Sequence, residues 1–202
     1  PADFASPREA IDAGIGMVQQ HFSLVNKMTV LDNIVLNLKD NSFFLDRAAA
    51  KKKLTDLAEK YGLYVNPDAV ISDLSVGEQQ RVEILKALYR NVELLILDEP
   101  TAVLTVTEID RLFSLVRLLK EKGVSIIFVS HHLNEIFELC DSYTVLKDGG
   151  FVKRGQVKDT TTEGLIQSMI GRELSQMFPK RNAKIGDVVL KVEHLNVGDK
   201  IK

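Results

Sequence analysis

Two adjacent carboxylates follow a short apolar run in this sequence. Residues 94–97 are Leu-Leu-Ile-Leu, and Asp98 and Glu99 come directly after them. Four aliphatic residues without alternation predict a buried strand, and open α/β sheets bind ligands just beyond the carboxyl ends of their strands. At that place an aspartate can hold Mg²⁺, directly or through water, and the next residue can orient a nucleophilic water. The same pattern also fits a strand that ends in a solvated turn.

A serine and a glycine open a predicted helix earlier in the chain. Residues 74–81 are Leu-Ser-Val-Gly-Glu-Gln-Gln-Arg, and apolar residues at helical spacing continue to Arg90. Such a helix start presents unpaired N–H groups and the positive end of the helix dipole to an anion, and Gly77 permits close backbone approach. The alternative is a plain N-cap at Ser75, which explains the serine but not the whole octet.

A histidine follows another apolar run. Residues 124–129 are almost wholly apolar, and Ser130, His131 and His132 come after them. At the end of a neighbouring strand, His131 would lie in the same crevice as the two carboxylates and could hydrogen-bond a phosphoryl group during its transfer. A metal site built from both histidines is not expected, because adjacent residues in a strand or helix project in different directions. The alternative is a histidine satisfied within the core.

A parallel sheet is the element that would bring these side chains together. The apolar runs at residues 94–97 and 124–129, with a weaker one at 15–18, predict three strands covered on both faces. Between the first two lies a helical pattern at residues 108–122, ended by Gly123. Strand, helix and strand in this order predict a right-handed parallel crossover, so the predicted fold class is α/β.

The stretch from residue 20 to residue 90 has helical rather than strand patterns. One helical segment spans residues 29–38, a second is capped by Asp46 and ended by Gly62, and a third begins at Ser75. We therefore expect a helical block inserted between strands of the α/β core.

Composition argues against several classes of function. The 202 residues carry 26 Lys and Arg against 28 Asp and Glu, and the net charge of -2 argues against an electrostatic grip on nucleic acid or anionic lipid. The one cysteine, Cys140, cannot form an internal disulfide, and we expect a small buried hydrophobe without a redox role. No apolar stretch approaches the roughly 20 residues of a membrane span.

Together these motifs resemble those of ABC-transporter ATPases. Residues 74–81 look like the signature motif, residues 95–99 like the Walker B strand with its catalytic glutamate, and His131 like the switch histidine. Residues 14–21 resemble the Q-loop, with Gln20 as its glutamine. The order and spacing agree from about residue 10 to residue 171. The resemblance implies a P-loop NTPase-like parallel sheet core with an inserted helical subdomain, lacking the N-terminal Walker A part.

The resemblance also implies a role for each matching residue. In the family, two cassettes close head to tail around two ATP molecules. Asp98 would help to hold Mg²⁺, Glu99 would polarise the attacking water and His131 would contact the γ-phosphate. Gln20 would contact the metal and the water and sense the membrane subunit. The signature residues that would bind ATP held by the opposite cassette are Ser75, Val76, Gly77, Glu78 and Gln79.

Two features depart from the family pattern. Thr105 stands where many ABC ATPases have an aspartate, which weakens any transfer of that loop's coupling role. None of the 12 glycines is followed by lysine, so the chain has no Gly-x-x-x-x-Gly-Lys phosphate loop. Because that loop and the first strands lie upstream of the Q-loop in the family, we expect them to precede Pro1. The 202 residues alone are then expected to lack ATPase activity and appreciable ATP affinity.

The resemblance divides the chain into five parts. Residues 1–19 would end the N-terminal part of the core, 20–90 form the helical subdomain, 91–170 form the RecA-like core, 171–186 form a linker, and 187–202 hold the first strand of a second cassette. The last segment could instead be an edge strand of a single cassette.

The implied function is that of the ATP-hydrolysing subunit of a bacterial ABC importer for simple sugars, of the ribose or galactose type, or for nucleosides. Its partners would be transmembrane permease subunits and a second cassette, with a solute-binding protein engaged indirectly and no nucleic acid. It would lie peripherally on the cytoplasmic face of the membrane. The alternatives are a non-transport ABC ATPase acting on ribosomes or in DNA repair and a degenerate scaffold cassette, which the net charge and the importer-like signature disfavour.

Overall fold

The computed structural model describes residues 3–36, 38, 46–170 and 190–193. The helices in this part of the chain are α1 (Pro7–Asp12), α2 (Val30–Val35), α3 (Arg47–Tyr61), α4 (Val76–Tyr89), α5 (Val106–Glu121), α6 (Leu133–Leu139) and α7 (Thr162–Ile170). The strands are β1 (Ile15–Val18), β2 (Leu94–Asp98), β3 (Ser125–Val129), β4 (Ser142–Lys147) and β5 (Gly150–Gln156). Single 3₁₀ turns cover Ile71–Asp73 and Val157–Asp159.

The central sheet is parallel, in the order β1-β2-β3. Met17 pairs with Ile96, which in turn pairs with Ile127, and Asp98 at the end of β2 pairs with Val129 at the end of β3. This register brings the carboxyl ends of all three strands to one edge of the sheet. The predicted α/β class and the three predicted strands are therefore confirmed.

The prediction that these strands are covered on both faces holds for one face only. Leu95 and Leu97 of β2 are fully buried, and α4 packs against β1 while α5 packs against β3. The alternate positions form the other face of the sheet. In the described structure Met17, Ile127 and Val129 on that face are 43–47% exposed. The expectation was wrong here because an apolar run shows that a strand tolerates burial, whereas actual burial requires another element to lie on that face.

Capping side chains set the ends of the longer helices. Asp46 accepts hydrogen bonds from the N–H groups of Ala48 and Ala49 at the start of α3, and Gly62 ends that helix with φ +66°. The left-handed conformation at Gly62 is one that glycine adopts without steric cost. Both predicted ends of this helix are confirmed.

Helix α5 starts earlier than the sequence pattern indicated. The predicted span was 108–122, but the helix runs Val106–Glu121. Thr105 lies at the N-cap, where its N–H and Oγ1 both donate to Glu108 Oε2 at 2.9 and 2.8 Å. These two hydrogen bonds lower the pKa of Glu108, the backbone one most. Apolar periodicity missed the first turn because that turn is set by polar capping.

The inserted block packs as three helices. Ile34 of α2, Leu54 of α3 and Leu85 of α4 are fully buried in one cluster. The first helical segment is shorter than predicted: α2 runs Val30–Val35 from the N-cap Thr29, whereas the pattern extended to residue 38. The helical character of the block is confirmed, and its predicted limits of 20 and 90 stay a prediction.

A hairpin and three helices were not predicted from the sequence. Strands β4 and β5 pair antiparallel across a turn in which Asp148 and Gly149 have φ of +50° and +76°. An Asp-Gly dipeptide between two strands is a strong hairpin signal, because both residues adopt positive φ readily. The short helices α1 and α6, and α7, also escaped prediction, because too few turns are present to show a periodicity.

The C-terminal predictions fall largely on residues that the structure does not describe. The predicted linker at 171–186 lies outside the described residues. Of the predicted strand at 187–202 only 190–193 are described, and these four residues belong to no helix or strand. Among the helices of the described chain, none is long and apolar enough to span a bilayer.

An ion pair between α2 and α3 gives a testable pH dependence. Asp32 Oδ2 accepts from Thr29 Oγ1 at 2.7 Å, and Asp32 Oδ1 accepts from an Arg47 guanidinium nitrogen at 2.6 Å. The Thr29 hydroxyl, and after it the Arg47 guanidinium, lower the pKa of the Asp32 carboxyl. A carboxyl with a lowered folded-state pKa stabilises the fold above its unfolded pKa of about 3.9, and this contribution disappears as the pH falls through the folded value.

We therefore expect Asp32→Asn to lower the free energy of unfolding modestly at pH 5 to 8, because the pair is partly exposed. The difference from wild type should shrink as the pH falls below about 4. Urea unfolding at a series of pH values measures both quantities, with Asp56→Asn on the exposed side of α3 as the control. A difference that grew toward acid pH would contradict the assignment.

Candidate active site

Glu99 occupies a constrained turn at the edge of the sheet. It directly follows β2, and its N–H donates to the carbonyl oxygen of Val129 at 2.9 Å, which continues the β2–β3 pairing by one bond. Its φ of +44° lies in the left-handed region, which is uncommon for a residue with a side chain. Such a conformation costs about 1–3 kcal/mol and persists only where the surroundings hold it. Strain of this kind clusters at functional sites.

The Glu99 carboxylate lies between a glutamine and a histidine. Gln20 Nε2 donates to Glu99 Oε2 at 3.1 Å, and His131 Nδ1 lies 3.1 Å from Glu99 Oε1. Because an ionised carboxylate only accepts, the second hydrogen bond needs the proton on Nδ1 of the imidazole, which leaves Nε2 as the other ring nitrogen for a ligand. The three side chains follow the ends of β2, β1 and β3, so the parallel register is what brings them together.

This group of three side chains is open to solvent. The Glu99 side chain is 30% exposed and the His131 side chain is 58% exposed. A ligand therefore has access to the carboxylate, and the histidine can turn toward it. In chemical terms the carboxylate can accept the proton of a water, and an orienting amide and an imidazole each lie within hydrogen-bonding distance of it.

Asp98 lies at the same edge, as the last residue of β2. The described residues contain no group of three or more His, Cys, Asp or Glu side chains that could hold a metal ion unaided. Magnesium, however, is usually bound through one or two carboxylates together with substrate phosphates. The oxygen atoms of Asp98, Glu99 and Gln20 are hard donors of the kind that Mg²⁺ prefers. The donor set therefore fits a magnesium ion that arrives with a nucleotide.

The predicted signature residues lie at the start of α4. Ser75 Oγ and the Ser75 N–H donate to Glu78 Oε2 at 2.8 and 2.9 Å, which forms a capping box. These bonds, the backbone one first, lower the pKa of Glu78. Gln79 Nε2 donates to the carbonyl of Leu74 at 3.0 Å. The capping that the sequence predicted at Ser75 is confirmed, and the anion-binding role of residues 75–79 stays a prediction.

Gly77 packs against the Glu108 side chain of α5. A Cβ atom at this position would lie 2.2 Å from Glu108 Oε1, so a side chain there requires the Glu108 carboxylate to move. Because that carboxylate is the flexible end of a side chain, packing alone does not require glycine here, and the predicted approach of an anion stays a prediction.

Two buried carboxylates near the site were missed in the sequence. Glu83 of α4 accepts from the N–H and Oγ of Ser23, at 2.8 and 3.2 Å, and so ties the segment that follows Gln20 to α4. Glu135 of α6 accepts from Ser130 Oγ at 2.5 Å, just before His131. For Glu83 the available signal was a charged residue at a position that the predicted helix places among apolar residues. For Glu135 no signal was available, because α6 shows no periodicity.

Comparison with known protein families matches residues 2–102 to the family described as ABC transporter. The chain belongs to the ABC transporter family. The resemblance stated from the motifs is therefore confirmed, and the family accounts for the parallel sheet with its inserted helices.

Relatives of this ABC transporter chain are named as import proteins. The nucleoside import ATP-binding protein NupA of Lactococcus lactis subsp. cremoris (strain MG1363) is 47% identical over 95% of this chain and 38% of its own length. The putative ribose/galactose/methyl galactoside import ATP-binding protein 2 of Agrobacterium fabrum (strain C58 / ATCC 33970) is 39% identical over 98% of this chain and 39% of its own length. The chain thus spans about two fifths of the length of these relatives.

Solved structures of the family share the fold. The dimeric ATP-binding cassette MJ0796 in a post-hydrolysis state, bound to ADP and Pi, superposes with a TM-score of 0.63 at 25% identity, over 75% of this chain and 68% of that one. An inward-facing putative metal-chelate type ABC transporter superposes with a TM-score of 0.68 at 24% identity, over 78% and 64% of the two chains. The predicted P-loop NTPase-like α/β fold is confirmed.

Proposed function

We propose that this chain is part of the ATP-hydrolysing subunit that powers import of a simple sugar or a nucleoside through an ABC transporter. The observation that carries the proposal is the meeting of Gln20, Glu99 and His131 at the carboxyl ends of three parallel strands. The printed names of the relatives, which include nucleoside and ribose/galactose import ATP-binding proteins, support the class of solute.

The chemistry follows from these three side chains. Glu99 accepts a hydrogen bond from the attacking water and polarises it toward the γ-phosphate of ATP. His131 is held by the Glu99 carboxylate through Nδ1, and with a proton on Nε2 as well it donates to an oxygen of the γ-phosphate. Gln20 orients the same carboxylate from the opposite side. Phosphoryl transfer gains mainly from such positioning and from stabilisation of charge.

Magnesium completes the proposed site. When it is bound with ATP, Mg²⁺ supplies positive charge at the phosphate oxygens. Asp98 and the side-chain oxygen of Gln20 are the residues that would hold it, as hard oxygen donors at the same edge of the sheet.

In this proposal the signature residues bind a second nucleotide. Ser75, Val76, Gly77, Glu78 and Gln79 would bind ATP held by another cassette, at the positive end of α4. The Ser75 hydroxyl already donates to Glu78, so it must exchange this partner for a phosphate oxygen. The dimeric MJ0796 cassette supports an assembly of paired cassettes.

Transmembrane permease subunits are the proposed partners of the helical block at residues 20–90. The chain would then lie peripherally on the cytoplasmic face of the membrane, with a solute-binding protein engaged through the permease. Nucleic acid is not among the proposed partners, since a net charge of -2 supplies no overall attraction to a polyanion.

The test uses the complete subunit in its transporter. The subunit that contains this chain, assembled with its permease in liposomes, should hydrolyse ATP faster when a solute-binding protein loaded with ribose, galactose or adenosine is added. The isolated 202-residue polypeptide is the control, and it should show no appreciable ATP binding in calorimetry because its sequence has no phosphate loop. An assembled transporter that binds ATP and never hydrolyses it would overturn the proposal in favour of a scaffold.

A further inference from the structure

A buried glutamine joins the helix of the signature residues to the turn of Glu99. Gln80 lies in the second turn of α4 and is only 5% exposed. Its Nε2 donates to the backbone carbonyl of Pro100 at 2.6 Å. Pro100 follows Glu99 directly, so this hydrogen bond fixes the outgoing side of the turn that carries the carboxylate.

The turn needs such an anchor. Glu99 has a φ of +44°, and on its incoming side the N–H is bound to the carbonyl of Val129 on β3. A left-handed residue with a side chain relaxes unless the backbone on both sides is held. The β3 carbonyl holds the incoming side. On the outgoing side the N–H of Ala102 donates to the Glu99 carbonyl at 3.3 Å, and Gln80 holds the Pro100 carbonyl at the shorter distance of 2.6 Å. Thr101 follows Pro100, and its buried hydroxyl has no hydrogen-bond partner among the described residues. The Thr101 side chain therefore does not help to hold the turn.

We infer that Gln80 is a positioning residue that, through the Pro100 carbonyl, keeps the Glu99 carboxylate between Gln20 and His131. The inference rests on the proposed function, because it assigns Gln80 to the hydrolysis that Glu99 is proposed to support. The hydrogen bond from Gln80 to Pro100 also couples the signature motif to the turn that carries Glu99. A shift of α4 at its signature end would move the Gln80 amide, and with it the turn of Glu99.

The competing explanation is that Gln80 only satisfies a buried carbonyl. In that case its loss would lower the free energy of unfolding, because the buried Pro100 carbonyl would lose its donor. The two explanations differ in what happens to hydrolysis at saturating ATP. A positioning residue changes kcat through Glu99, whereas a purely structural residue changes the fraction of folded protein.

The first experiment is Gln80→Met in the complete subunit assembled with its permease. Methionine keeps the length of the side chain and removes the donor. We expect kcat to fall at least 10-fold while the KM for ATP stays within 2-fold. The control is Lys147→Met, since Lys147 Nζ donates to the carbonyl of Ile170 at 2.7 Å, outside both the site and the helical block. This control also removes a side-chain donor to a backbone carbonyl and should keep kcat within 2-fold.

The second experiment combines Gln80→Met with Glu99→Gln. If Gln80 acts through Glu99, the double variant should hydrolyse radiolabelled ATP no more slowly than Glu99→Gln alone, because the group being positioned is already lost. Additive effects, an unchanged kcat in Gln80→Met, or a change in KM alone would each overturn the inference. Should Gln80→Met fail to fold, Gln80→Leu also removes the donor and buries no charge, with the same expected results.

These outcomes separate the inference from the proposed function. A Glu99→Gln variant that hydrolyses ATP at the wild-type rate would contradict the role of Glu99 itself. Loss of hydrolysis in Glu99→Gln with normal kcat in Gln80→Met would leave the proposed function standing and remove only the role of Gln80.

Discussion

Glu99→Gln is expected to lower ATP hydrolysis by the complete subunit about 100- to 10,000-fold, the usual contribution of a side chain that accepts a proton from the nucleophile. The amide keeps the size of the carboxylate but loses its negative charge, so the attacking water is no longer polarised. ATP binding should persist, because the substitution leaves the other proposed phosphate contacts in place. Rates from phosphate release, and affinity from a fluorescent nucleotide, measure the two effects separately.

The matched control for this variant lies at the other end of the same strand. Glu93 precedes β2 at its amino end and is exposed, so Glu93→Gln makes the same chemical change at the opposite edge of the sheet. We expect its hydrolysis rate to stay within 2-fold of wild type. Turnover that persists in Glu99→Gln, or is lost equally in Glu93→Gln, would refute the role given to Glu99.

His131→Ala is expected to lower kcat about 100- to 1,000-fold, the cost found when one group that stabilises transition-state charge is removed. Two interactions are lost together: the hydrogen bond to Glu99 Oε1 and the proposed contact with the γ-phosphate. The side chain is 58% exposed, so the free energy of unfolding should change by less than about 0.5 kcal/mol. Steady-state kinetics and thermal unfolding of the same preparation check both statements.

The neighbouring histidine supplies the control. The ring of His132 lies 4.1 Å from that of His131, centroid to centroid, yet no hydrogen bond of the described structure joins its imidazole to Glu99. His132→Ala should therefore keep most of the hydrolysis. If His132→Ala were the more damaging of the two, the assignment of the switch histidine would be wrong.

The largest part of the site could be predicted from local sequence patterns. Aliphatic runs at 15–18, 94–97 and 124–129 indicated parallel strands, and the polar residues that follow them had to meet at one edge because parallel strands end on the same side. Glu99 and His131 meet there in the structure, and Gln20, which the family resemblance indicated, joins them. Helix caps at Asp46, Ser75 and Gly62 were likewise predictable, since a cap involves only its own few residues.

What sequence alone determined, then, is the fold class, the family and the residues that gather around Glu99, because each is set by short-range periodicity or by motif order. Only the tertiary structure decided how these residues are held. The hydrogen bond from Gln80 to the Pro100 carbonyl, the ties from Glu83 to Ser23 and from Glu135 to Ser130, and the half-exposed second face of the sheet all depend on which element packs against which. A side-chain bond to a distant backbone group leaves no periodic signal, because its partner is chosen by packing in three dimensions.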